Sequence, residues 1–217
     1  VLYYPWMNVS NPLYDEMNSS NTNQILSVAP SSFAAGMWSK TDVSRGVWKS
    51  PAGVECRLSG LVEPNVLITD NEQQQLNPKG VNCIRKMTNI GTVIWGARTL
   101  ATHTDAQWRY IAVRRTAIMI EQSISKGTQW AVFEPNNHKL WNNLCLIISN
   151  FMNTLFRDGA LIGSKPSDAY FVQCGLGQTM SQNDIDAGKI IINVGFSPLK
   201  PAEFIIIHIE LQGNATI

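Results

Sequence analysis

The sequence predicts an α+β fold: a mixed, mostly antiparallel sheet packed with two main helices and continued by an extended terminal strand. Two observations carry this. Residues 115–126 and the stretch between Asn137 and Gly159 have apolar positions at helical spacing and end at glycines. Around them lie short apolar or alternating runs bounded by Gly, Asn and Pro, the pattern of hairpin-type strands.

The elements follow in order. Residues 1–4 read as a strand closed by Pro5. Residues 10–32, rich in Asn, Ser and Pro, read as an exposed loop, residues 33–38 as a short helix and residues 40–53 as turns. Thr69 with Glu72 forms a capping-box signature for a short helix ending at Asn77 and Pro78. Residues 83–87 and 92–97 make a hairpin turning at Asn89 and Gly91. Residues 108–114 read as a strand entering the first main helix, and residues 130–133 as a buried strand stopped by Glu134 and Pro135. Asn136 or Asn137 caps the second main helix. Its Leu140, Trp141, Leu144, Ile147, Ile148, Phe151, Met152, Leu155 and Phe156 form a stripe wide enough to bury most of its circumference. Residues 168–174, 190–196 and 204–211 are the closing strands.

The chain has 217 residues, room for one ordinary domain or two small ones. It starts at Val1, without Met and within an apparent strand, as a piece of a longer protein would. Charged residues are 15% of the chain, against about 25% in a typical soluble domain. Interface cores are depleted in charge, so much protein–protein contact is expected. A net charge of +1 argues against binding nucleic acid by phosphate neutralisation. Cys56, Cys83, Cys145 and Cys174 form no CxxC pair and read as buried free thiols of a protein made in a reducing cytoplasm. No apolar run reaches the roughly 18 residues of a membrane span, so no membrane insertion is expected.

Catalytic, cofactor-binding and metal-binding residues are expected to be none. Gly175-Leu176-Gly177 follows a strand, as a dinucleotide loop would, but Met180 replaces the third glycine and no apolar-periodic helix follows. A flexible turn is the simpler reading, and a nucleotide-binding enzyme domain is the lesser alternative. His103, His138 and His208 are scattered without zinc spacing. Asp184 and Asp186 do not share a helical face and suit a capped turn ending at Gly188. No GxSxG elbow is present.

The closing strand is unusual. Ile205, Ile207, Ile209 and Leu211 share one face, and Phe204, Ile206, His208 and Glu210 the other. So apolar a strand is an aggregation hazard unless its edges are paired, within its own domain or by another chain.

Several segments resemble contractile tail sheath proteins in their C-terminal half. The words are GTQWAVFEPN, a helix containing Trp141, and LFRDGALIG. Further blocks occur in the family's order: Tyr3-Tyr4-Pro5-Trp6, Arg45-Gly46-Val47-Trp48-Lys49, Trp95-Gly96-Ala97-Arg98-Thr99-Leu100, Asp184-Ile185-Asp186-Ala187-Gly188 and Pro201-Ala202-Glu203-Phe204. The loop at residues 14–28 is longer and the spacer at 175–182 is additional, and the region that normally carries the first linking strand is not in this chain.

The resemblance implies a structural subunit that polymerises helically around an inner tube and contracts to drive the tube through a target envelope. A sheath-like terminator or cap is the alternative. It implies three parts: residues 1–75, the end of an upstream sheath domain; residues 76–203, the C-terminal sheath domain; and residues 204–217, an arm. The arm strand would be Phe204, Ile205, Ile206, Ile207, His208, Ile209, Glu210 and Leu211. The strand of the neighbouring sheet would include Ile190, Ile191, Ile192, Asn193 and Val194. Expected partners are copies of itself or related sheath chains, the inner tube, and baseplate and terminator proteins. The setting is a virion tail or a released tail-like particle made in a bacterial cytoplasm.

Overall fold

A computed structural model of the chain describes residues 1–14, 23–101 and 105–203. The fold is α+β. The first half runs β1 (Leu2–Tyr4), β2 (Met7–Ser10), β3 (Ile25–Val28), α1 (Ser31–Arg45), β4 (Glu63–Pro64), α2 (Asp70–Leu76), β5 (Val81–Met87) and β6 (Gly91–Trp95). The second half runs α3 (Ile111–Gly127), α4 (His138–Arg157), α5 (Pro166–Ala169), β7 (Tyr170–Gln173), α6 (Gln182–Asp186) and β8 (Asn193–Phe196). The described strands form three small sheets rather than one. In the first, β5 pairs parallel with β1 and antiparallel with β6. In the second, β2 lies antiparallel between β3 and β4. In the third, β7 and β8 pair antiparallel.

Local chemistry explains several boundaries. Thr69 and Glu72 exchange both bonds of the capping box at α2. The β5–β6 hairpin turns through Asn89 and Gly91, both at positive φ, which these residue types tolerate. The Asn137 side chain accepts from the Leu140 amide (3.1 Å) and starts α4, and Gly159 follows its end in the left-handed region.

Other expectations need correcting. The short helix at 33–38 is a 15-residue helix, Ser31–Arg45. In its polar second half the hydroxyls of Thr41 and Ser44 turn back onto the carbonyls of Met37 (2.9 Å) and Lys40 (2.8 Å), and Asp42 is held by Arg115 of α3. Part of the loop expected at 10–32 is β3, which forms a hairpin with β2. Residues 111–114, expected as strand, open α3, and Tyr110 keeps only an isolated bridge to Arg98. Residues 130–133 are not a buried strand. A single 3-10 turn holds Gln129–Ala131, only Ala131 is buried, and Phe133 is fully exposed at φ 71°. An apolar run that short fits either geometry, and the bond from the Glu134 amide to the Ala131 carbonyl closes it as a turn. On α4 the burial is narrower than expected. Leu140, Trp141, Leu144, Ile148, Met152 and Leu155 are buried, whereas Leu146 and Ile147 are exposed.

Three clusters form the core. Met7, Ala34, Met37, Ile84 and Ile94 join the first two sheets to α1. Ile120, Ile148, Met152 and Leu155 join α3 to α4, with Tyr170, Val172, Val194 and Phe196 packed on them. Leu140, Trp141, Leu144, Cys174 and Met180 close the far end of α4. All four cysteines are free thiols, Cys145 half-buried and the others buried.

Candidate subunit-linking surface

The β7–β8 sheet is laid on α4 by its own alternation. Tyr170 and Val172 face the helix core, while Phe171 and Gln173 face outward. The Tyr170 hydroxyl donates to the Ser149 carbonyl (3.2 Å), fixing the start of the strand to α4. On β8, Val194 opposes Val172 and Phe196 opposes Tyr170, so the inner face is apolar on both strands. Among the described residues no third strand pairs with either. A two-stranded sheet is marginal by itself, and here α4 supports its inner face.

Of the expected neighbour-sheet residues, Asn193 and Val194 lie in β8, and Ile190, Ile191 and Ile192 precede it. The strand starts later than expected because the Ile191 carbonyl is taken by the Thr179 hydroxyl (2.7 Å) and Ile190 and Ile192 fill the core beside Cys174 and Met180. The expected arm residues, Phe204 to Leu211, lie outside the described residues, as do His103 and His208.

Glu203, directly before the expected arm, is gripped by Arg98. Arg98 Nε donates to both carboxylate oxygens of Glu203 (2.9 and 3.1 Å), and its Nη2 also meets the carboxylate. Both side chains are nearly buried, 10% and 13% exposed. The remaining Arg98 nitrogen, Nη1, reaches the Asn77 carbonyl (3.3 Å), and the Tyr110 hydroxyl lies 3.4 Å from Glu203. The carboxylate holds the Arg98 pKa above its ordinary value, with burial acting the other way. Arg98 is itself fixed through its main chain. The fully buried Asn82 accepts from the Arg98 amide (2.7 Å) and donates to the Arg98 carbonyl (2.8 Å) and the Leu2 carbonyl (3.0 Å).

A second tie joins α1 to α3. Arg115 pairs with Asp42 through two bonds (2.7 and 2.5 Å) and stacks on Trp38, 4.6 Å from its ring centroid. Trp38 in turn donates to the Tyr3 hydroxyl (2.7 Å). Sequence reasoning missed both ties. Their partners lie 105 and 73 residues apart, and no local pattern links such positions. Between the halves of the chain lies a cleft of about 800 Å³, bordered by Trp48, Trp95, Arg98 and residues 199–203.

The rival chemistry looks different in three dimensions. The Gly175–Gly177 turn closes on itself: the amides of Gln178, Thr179 and Met180 all donate to the Gly175 carbonyl, and the Gly177 amide to Met180. Those amides are therefore not free to cradle a phosphate. Ser181 caps α6 in a capping box with Asp184, and its hydroxyl and amide hold the Asp184 carboxyl below its ordinary pKa. Among the described residues no group of three or more His, Cys, Asp and Glu side chains converges as metal ligands. No described helix is long and apolar enough to cross a membrane.

Comparison with known proteins gives a consistent picture. The chain is 26% identical over 186 residues to a prophage major tail sheath protein of Pseudomonas aeruginosa, covering 85% of this chain and 46% of the relative. It is 27% identical to the tail sheath protein of Burkholderia phage BcepMu, covering 98% of this chain and 43% of that one. Among solved structures, a chain of the anti-feeding prophage baseplate is 42% identical with a TM-score of 0.85, covering 97% of this chain and 54% of that one. A chain of the contracted PVC sheath complex, an extracellular contractile injection system, is also 42% identical, with a TM-score of 0.84 over 96% of this chain and 55% of its own length. The chain thus spans about half the length of the proteins it matches. The family model for the phage tail sheath protein central domain matches residues 2–100, and that for the phage tail sheath C-terminal domain matches residues 103–212. On these matches, the chain belongs to the phage tail sheath family.

Proposed function

We propose that this chain is the central and C-terminal part of a contractile sheath subunit. It assembles helically around an inner tube, and contraction of the sheath drives the tube through a target envelope. The observation that carries the reading is the 42% identity, with a TM-score of 0.83, to the anti-feeding prophage helical sheath in its contracted state. In this reading the work is mechanical and no catalytic residue is involved. Partners are further copies of the subunit, the inner tube, the baseplate and a terminator. The protein is made in the bacterial cytoplasm and functions in a virion tail or released tail-like particle.

The link between copies is strand exchange. Residues 204–211 of one copy add to the β7–β8 sheet of the next. Support comes from the short sheet that no third described strand completes, and from the wholly apolar face that Ile205, Ile207, Ile209 and Leu211 share in the 204–211 sequence. Main-chain ladder bonds do not depend on side-chain partners of one lattice, so they persist while weaker side-chain contacts exchange during contraction.

The test is negative-stain microscopy of the full-length protein. Helical tubes are expected, and deletion of residues 204–217 should abolish them. A strictly monomeric full-length protein, or tubes that form equally well without residues 204–217, would overturn the respective part of the reading.

A further inference from the structure

We propose that the Arg98–Glu203 ion pair is the mechanical anchor of the C-terminal arm, placed so that tension on the arm bypasses β8. The inference rests on the strand-exchange reading above.

The problem it solves arises from chain order. β8 ends at Phe196, and only residues 197–202 separate it from Glu203, after which the proposed arm begins. One subunit therefore donates an arm from the same stretch of chain whose β8 helps receive a neighbour's arm. β8 is held to β7 through only four register pairs, from Tyr170–Phe196 to Gln173–Asn193. A pull entering β8 at Phe196 would load that ladder from one end and open its bonds in succession. Each contraction would then strip the receiving sheet of the subunit being pulled.

The ion pair intercepts that pull. Glu203 directly precedes the proposed arm in sequence, and the guanidinium engages both oxygens of its carboxylate from Nε and Nη2. Burial excludes the water that would otherwise screen and compete for these bonds. Arg98 cannot simply follow, because Asn82 on β5 holds its amide and its carbonyl and Arg98 Nη1 bonds to Asn77. Tension arriving at Glu203 passes into β5 and the first sheet, whose Ile84 and Ile94 are fully buried. A second hold lies upstream. The Ile162 amide donates to the Ser197 carbonyl (2.9 Å), and Leu161 bridges Pro198. Residues 199–202 between the two holds border the cleft, where they can shift without disturbing a packed core.

The test uses the full-length protein, as monomer and as assembled tubes before and after contraction, read by hydrogen exchange at the β8 amides. Glu203→Gln removes the charge and keeps the shape. Arg98→Met combined with Glu203→Leu removes the ion pair without leaving an unpaired buried charge, so it folds even where the single variant does not. Both should leave β8 exchange in the monomer within about twofold of wild type and raise it about tenfold or more in contracted tubes. Wild-type protection of β8 in contracted tubes of the variants overturns the anchor. So does equal loss of protection in the monomer, which reduces the pair to general fold stability. Wild-type tubes that form equally well without residues 204–217 instead overturn the strand-exchange reading beneath it, and a wild-type protein that forms no tubes overturns the sheath reading itself.

Discussion

The ring of Phe171 occupies the space above Gly195, its register partner on β8, so that a β-carbon at Gly195 would lie 2.2 Å from Phe171 Cε1. The ring lies on the outer face of the β7–β8 sheet and is about half exposed, with the glycine backbone beneath it. An aromatic ring laid across a strand glycine restores the cover that the missing side chain would have given.

That contact predicts a reversal of sign. Gly195→Ala should displace the ring and destabilise the protein by about 0.5–1.5 kcal/mol. With Phe171→Ala already in place, the same change should be neutral or stabilising, since alanine suits a strand better than glycine. Urea denaturation of the four proteins in the cycle decides it. Equal effects of Gly195→Ala in both backgrounds would contradict the contact.

Asn82 is the most consequential polar residue of the core. It joins Leu2 to Arg98 through three hydrogen bonds and is fully buried. Asn82→Ala should cost about 2–4 kcal/mol, because it strands the buried amide and carbonyl of Arg98 and also loses the bond to the Leu2 carbonyl. A loss below about 1 kcal/mol in chemical denaturation would mean that water replaces the amide.

Arg115 tests the tie between α1 and α3. Arg115→Ala should lose about 2 kcal/mol, and Arg115→Lys should recover less than half of it. A lysine ammonium cannot present the flat fork that engages both Asp42 oxygens while stacking on Trp38. Full recovery by lysine, seen in the denaturation midpoint, would reduce the tie to simple charge attraction.

The buried acids predict alkaline weakness. Burial pushes the Cys83 and Cys174 thiols up to about 11 from the usual 9.0. Burial likewise pushes the Tyr3 phenol up to about 12 from 10.0, outweighing the Trp38 bond and the Arg115 charge. The unfolded chain releases these protons first, so the folded state binds more of them above about pH 9. Their stabilisation is complete below that pH and is lost as pH rises toward about 11 for the thiols and about 12 for Tyr3. Urea midpoints should fall between about pH 8 and about pH 10.5, and a flat profile there would refute the burial effect.

Much of the molecule could be read locally. The Thr69–Glu72 box, the Asn89–Gly91 turn, the Asn137 cap and the apolar stripe of α4 each depend on residues within a few positions of one another. The resemblance of ordered blocks along the chain likewise pointed to the family, because such blocks are linear patterns. Errors arose where local pattern is ambiguous. An apolar run as short as Trp130 to Phe133 suits a strand or a turn equally, and the polar half of α1 carries no apolar periodicity, its Asp42 instead meeting Arg115 of α3, 73 residues away.

What the sequence by itself determined about this protein is therefore the presence of its two main helices, several of its caps and turns, and its sheath-like character. Only the tertiary structure decided that the strands divide into three sheets, that β8 starts at Asn193, and that Glu203 is gripped by Arg98. The physical reason is range. Capping and periodicity act over one or two turns of chain, whereas a buried ion pair between residues 105 apart exists only once folding has brought them together and excluded water.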